Sequence, residues 1–129
     1  MNLDDYQAFS NIDRSGMLAH IDNLPDQLEA AWQLGTNLDL PAWEGIDRIL
    51  VAGMGGSAIG ADLVGAFISN SCPLPYLVHR NYDLPGWARG PNTLVIASSH
   101  SGNTEETLTA FERAVERGCR LLVLTTGGK

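Results

Sequence analysis

Two apolar runs, each followed at once by a loop of small residues, constrain this chain more than any other feature. They are ILVAGMGGSAIG at 49–60 and LVIASSHSGNTEETL at 94–108. Each reads as a strand, a Gly/Ser-rich turn and the start of a helix. Ile49-Leu50-Val51-Ala52 is apolar at every position rather than at alternate ones. That suits a strand covered on both faces, as in a parallel sheet. Strands alternating with helices predict an α/β fold, a three-layer α-β-α sandwich around a parallel sheet. Ligands of such sheets sit beyond the carboxyl ends of the strands, where both loops stand.

The rest of the chain fits this alternation. Apolar spacing predicts a helix over 22–36, with Leu24, Leu28, Ala31, Trp32 and Gly35 on one face, Asp22 or Asn23 as cap and Pro25 in the first turn. A helix over 57–69 follows the first strand, with Ile59, Leu63, Ala66 and Phe67 as its inner stripe. Short strands are expected at 76–78, 94–97 and 121–124, with a turn-rich stretch at 80–92. A helix over 104–117 has Leu108, Phe111 and Val115 facing inward and Gly118 as its stop. The last residues, TTGGK, look like a third loop of the same kind, after a fourth strand left without a covering helix. The expected organisation is therefore a helical segment over 1–45 and an α/β domain over 46–129. The sheet would be truncated after its fourth strand, as the N-terminal part of a longer protein.

Composition narrows the function. With 129 residues, 44% of them hydrophobic and 18% charged, the chain has the makings of one folded core. Eight Lys and Arg against fifteen Asp and Glu leave a net charge of −7, which argues against nucleic acid and anionic membranes as partners. No apolar run approaches the roughly 20 residues that cross a bilayer. The acidic start, MNLDDYQAFSNID, lacks the pattern of a signal peptide, so a cytoplasmic location is expected. Cys72 and Cys119 have no metal-binding spacing and read as free, buried thiols. His20 and His79 lack a metal-ligand partner at useful spacing, so neither a metal nor a cofactor is expected.

The loop contents suggest an anion site without basic residues. Gly53, Gly55 and Gly56 permit a tight turn and close approach, and Ser57 opens the next helix with a hydroxyl and free N–H groups. Gly53, Gly55 and Ala58 also fit a dinucleotide fingerprint. However, His79 and Arg80 stand where that fingerprint expects an acidic residue. Arg80 would either suit a 2′-phosphate, steer an anion, or pair with Asp83. In the second loop Ser98, Ser99, Ser101 and Thr104 place four hydroxyls within seven residues. Asn103 and Glu106 have the spacing of a capping box. Such a cradle, built from hydroxyls and helix dipoles, suits a phosphoryl group.

GMGGSAIG, RNYDLP, SSHSGNTEETL and TTGGK, in this order and at these spacings, resemble the sugar isomerase (SIS) domain, a flavodoxin-like fold. More narrowly they resemble the N-terminal SIS domain of the bifunctional phosphoglucose/phosphomannose isomerases. The resemblance implies that Gly55, Gly56 and Ser57 contact a sugar phosphate from the first loop. It implies that Ser99, Ser101 and Thr104 bind its phosphoryl oxygens from the second. It implies interconversion of glucose 6-phosphate or mannose 6-phosphate with fructose 6-phosphate through a cis-enediol. The family's base, a Glu, and its ring-opening His belong to a second SIS domain beyond residue 129, so this chain alone is expected to be inactive. A non-catalytic SIS module that senses phosphosugars is the alternative. Pairing of SIS domains implies a homodimer. His100 stands where the family often has an aromatic, and is expected to face away from the cradle and replace that aromatic in packing; the alternative is an extra ligand contact or a proton carrier.

Overall fold

The computed structural model describes residues 5–9 and 11–128; Lys129, the end of the expected third loop, lies outside the described residues. The chain divides into two compact units, one ending at Ala42 and one beginning at Trp43. The first holds α1 (Tyr6–Phe9), α2 (Met17–Asp22) and α3 (Leu24–Thr36). Only α3 was expected from periodicity. Its Asn23 cap makes no side-chain hydrogen bond, and Leu24, Leu28 and Trp32 are exposed. The short α2 is held instead by Asp13, whose carboxylate accepts the N–H groups of Met17 and Leu18, both at 2.8 Å.

The second unit runs β1 (Arg48–Gly53), α4 (Gly55–Ile68), β2 (Tyr76–His79), β3 (Thr93–Ser98), α5 (Glu105–Glu116) and β4 (Arg120–Leu124). All strand pairs are parallel, in the order β2-β1-β3-β4. This is the doubly wound order in which the chain reverses its direction of growth between β1 and β3. The loops that leave those two strands are the two singled out by sequence.

Side chains alternate across each strand, so the faces can be separated. Leu50, Ala52 and Val95 form one core with Leu84, Ala88, Ala110 and Ala114, the last two from α5. Tyr76 lies on the opposite face, level with Ile49, and its hydroxyl donates to the Ala61 carbonyl of α4 at 2.9 Å. One helix therefore covers each face, giving the three layers expected.

The expected inner stripes of both helices are overturned. In α4 the buried residues are Ala58 and Ala61, and Gly65 lies close under the Tyr76 ring. Ile59, Leu63 and Phe67 point outward, Phe67 with 84% of its surface exposed. In α5 Thr107, Ala110 and Ala114 are buried, while Leu108 and Val115 are exposed and Phe111 is half-buried. Each helix sits on the sheet through its small residues, which lets the backbones approach closely and turns the bulky apolar face away. Cys72 and Cys119 are free, as expected, but half-buried rather than buried. Burial pushes the Cys119 thiol up, partly offset by Arg117.

The segment between β2 and β3 is held by Arg117 at the end of α5. Its guanidinium donates to the carbonyls of Leu84 and Pro85, each at 3.0 Å, and to Asp83 at 2.8 Å. Asp83 is thus not the partner of Arg80, which pairs with Asp62 of α4. Among the described residues no helix is long and apolar enough to cross a membrane.

Candidate functional site

The first loop turns within two residues of the end of β1. Gly53 is the last strand residue, and a Cβ there would stand 2.8 Å from the Ser98 carbonyl oxygen at the end of β3. A side chain at 53 would force the two strand ends apart. Gly55 begins α4 at φ +51°, a conformation that favours glycine. Met54 is the N-cap and contributes no side-chain cap, so Gly55, Gly56 and Ser57 fill the first turn, whose N–H groups lack intrahelical acceptors. Ser57 is therefore a first-turn residue rather than the cap.

The second loop is tied internally by its own hydroxyls. Ser99 is buried; its Oγ accepts the Gly102 N–H at 3.2 Å and lies 2.9 Å from Thr104 Oγ1. Ser101 Oγ accepts the Asn103 N–H at 3.2 Å. The expected capping box does not form. Thr104, not Asn103, is the N-cap of α5, and no side chain caps it. The Asn103 amide instead donates to the Ser101 carbonyl at 3.1 Å, and the Thr104 hydroxyl is engaged with Ser99.

The two loops meet. The His100 N–H donates to Ser57 Oγ at 3.3 Å, across 43 residues of sequence. Between them lies an open cleft of about 620 Å³ lined by Met54, Gly56, Ser57, His100, Ser101 and Thr104. Four of the six expected contact residues thus share one cleft. Ser99 is buried outside its wall, with its hydroxyl against Thr104, and Gly55 is exposed in the first loop. His100 is exposed and belongs to the cleft wall rather than to packing beneath it, contrary to the outward role expected for it.

The hydrogen bonds fix what these groups have left to give. Ser57 Oγ and Ser101 Oγ each already accept a backbone N–H, so each keeps its own proton for a further acceptor. Ser99 accepts from Gly102, and in the arrangement where Ser99 donates to Thr104 the Thr104 proton is free for an acceptor in the cleft. Three hydroxyl donors and the first-turn N–H groups of α4 then converge on one space. No Lys, Arg, Asp or Glu lines it. Glu105 and Glu106 occupy the first turn of α5 and act across to the second unit's other loop, where Glu106 and then Glu105 hold the Tyr82 phenol above its ordinary range. Tyr82 lies within the RNYDLP motif, but the motif gives it no role; only the folding of the 80–85 segment toward α5 brings it there. Among the described residues no group of three His, Cys, Asp or Glu side chains stands ready for a metal ion.

No protein-family model matches the chain. Over 114 residues it is 44% identical to the bifunctional phosphoglucose/phosphomannose isomerase of Caldicellulosiruptor bescii, covering 88% of this chain and 33% of that protein. Over 108 residues it is 31% identical to the D-glucosamine-6-phosphate 4-epimerase of Sulfolobus acidocaldarius, covering 83% of this chain and 33% of that one. The chain thus spans about a third of the length of these relatives. Among solved structures it is similar to a Bacillus subtilis protein assigned to the phosphosugar isomerases, with a TM-score of 0.54 and 30% identity over 64% of this chain and 26% of that one. The chain has the fold of the sugar isomerase (SIS) domains and resembles a portion of the bifunctional phosphoglucose/phosphomannose isomerases.

Proposed function

We propose that this chain is the substrate-phosphate-binding half of an aldose–ketose isomerase, one that interconverts glucose 6-phosphate or mannose 6-phosphate with fructose 6-phosphate. The observation that carries the reading is the convergence of the Ser57, Ser101 and Thr104 hydroxyls on one cleft, two of them already accepting a backbone N–H and so left to donate. Phosphoryl oxygens only accept hydrogen bonds, so a wall of donors without carboxylates matches them. The relatives support the sugar phosphate: their names specify glucose, mannose and glucosamine phosphates.

In this reading Gly55, Gly56 and Ser57 hold the phosphate from the first loop, and Ser99, Ser101 and Thr104 hold it from the second. The SIS domain occupies residues 46–129 and the helical segment residues 1–45. The protein works in the cytoplasm as a homodimer; the bulky apolar residues that α4 turns outward, Phe67 above all, favour association. Sedimentation at tens of micromolar checks this, and a purely monomeric mass removes the dimer from the reading.

The test of the site is a titration of the 129-residue chain with fructose 6-phosphate, followed by backbone amide NMR. Residues 55–57 and 99–104 are expected to shift together and saturably. Unchanged spectra at millimolar sugar phosphate overturn the reading.

A further inference from the structure

The third loop, after β4, contributes nothing to the cleft wall, yet it grips the residue at the centre of that wall. Thr126 Oγ1 donates to the His100 carbonyl oxygen at 2.7 Å, and the Thr126 N–H reaches the same oxygen at 3.3 Å. Both lone pairs of that oxygen are thereby used. On its other side, the His100 N–H donates to Ser57 Oγ. The strand order explains this double hold: β3 lies between β1 and β4, so its loop is bracketed by theirs.

The His100 carbonyl and the Ser101 N–H belong to one planar trans peptide, in which the two groups point in opposite directions. Pinning the carbonyl toward β4 therefore turns the Ser101 N–H toward β1, the side on which the cleft lies. Among the described residues the Ser101 N–H has no hydrogen-bond partner. The Ser101 N–H thus stands as a free backbone donor over the cleft, next to the His100 N–H that Ser57 Oγ engages. The third loop is itself braced: Thr125 Oγ1 donates to the Gly127 carbonyl at 2.5 Å, and Gly127 and Gly128 pack against Gly102.

We infer that Thr126 is a positioning residue of the anion site: by holding the His100 carbonyl it aims the Ser101 backbone N–H at the bound oxyanion. The inference rests on the reading of the cleft as a phosphoryl site, and adds to it one donor and the side chain that orients it.

The experiment compares the wild-type chain, Thr126→Val and Thr126→Ser, each titrated with inorganic phosphate and with fructose 6-phosphate by amide NMR. In the wild type the Ser101 amide proton is expected to move downfield on saturation. Thr126→Val keeps the shape but loses the hydroxyl; its affinity for both probes is expected to fall about tenfold, the contribution of one charge-assisted hydrogen bond, with the Ser101 shift reduced. Thr126→Ser is expected to restore both. If Thr126→Val binds as the wild type does with an unchanged Ser101 shift, the inference fails and the phosphoryl site stands. If the wild type binds with shifts at Ser57 and Thr104 but none at the Ser101 amide, the inference fails even should Thr126→Val not fold. If the wild type binds neither probe, the reading of the cleft fails and this inference with it.

Discussion

A methyl group at residue 53 would lie 2.8 Å from the Ser98 carbonyl oxygen, which belongs to the backbone of β3 and cannot swing aside. Gly53→Ala is therefore expected to destabilise the fold by about 1–3 kcal/mol, in the range of overpacking substitutions. Urea unfolding checks this, and an unchanged midpoint contradicts it. The same crowding explains what was legible at this scale. The glycines and hydroxyls of the two loops announce themselves in sequence, because only small and polar residues suit a turn that approaches a ligand. Their roles do not. That Ser57 Oγ accepts from His100, or that Ser99 is buried and not in the cleft wall, depends on contacts between loops that periodicity cannot see. The His100 position was misjudged for the same reason: its neighbours in space come from the loops after β1 and β4.

Strands were legible as elements because their apolar runs are unbroken, and each observed strand lies within two residues of its expected bounds. The helix faces were misread. The sequence GGSAIGADLVGAFI is apolar almost all round, so its largest side chains drew the inner stripe to Ile59, Leu63 and Phe67. Close approach to the sheet favours alanine and glycine instead. This distinction predicts opposite responses to substitution in α5. Ala110 is fully buried, so Ala110→Leu is expected to cost about 1–3 kcal/mol by overpacking. Leu108 is 42% exposed, so Leu108→Ala is expected to cost well under the 2–5 kcal/mol typical of a core leucine. Thermal unfolding of the two variants decides it; a larger loss in Leu108→Ala restores the bulky face as the inner one. In the first unit, α2 depends on a single carboxylate. The Leu18 and Met17 N–H groups hold Asp13 below its ordinary range. A depressed carboxylate stabilises above its unfolded pKa, and that contribution disappears as pH falls through the folded value. The amide shifts of Met17 and Leu18 are thus expected to stay constant above the ordinary aspartate range and to change together below it. Asp13→Asn should abolish that titration; a midpoint at or above the ordinary value contradicts the cap.

At the scale of the whole molecule, the cleft offers hydrogen-bond donors and no carboxylate. Moving a proton between C1 and C2 of a sugar phosphate needs a base within hydrogen-bond reach of the carbon-bound proton. The cleft wall supplies Met54, Gly56, Ser57, His100, Ser101 and Thr104, and none of these is a carboxylate. The nearest acidic pair in sequence, Glu105 and Glu106, sits in the first turn of α5 outside that wall. The chain also spans only a third of the relatives named as isomerases. Binding without turnover is the expected outcome. Incubation of fructose 6-phosphate with the chain in deuterium oxide should leave its C1 protons unexchanged, under conditions where amide shifts show the site to be occupied. Exchange that persists in His100→Gln would place a base elsewhere in these residues. Exchange that disappears in that variant would make the imidazole the proton carrier, and a phosphate cradle would then hold its own catalytic group.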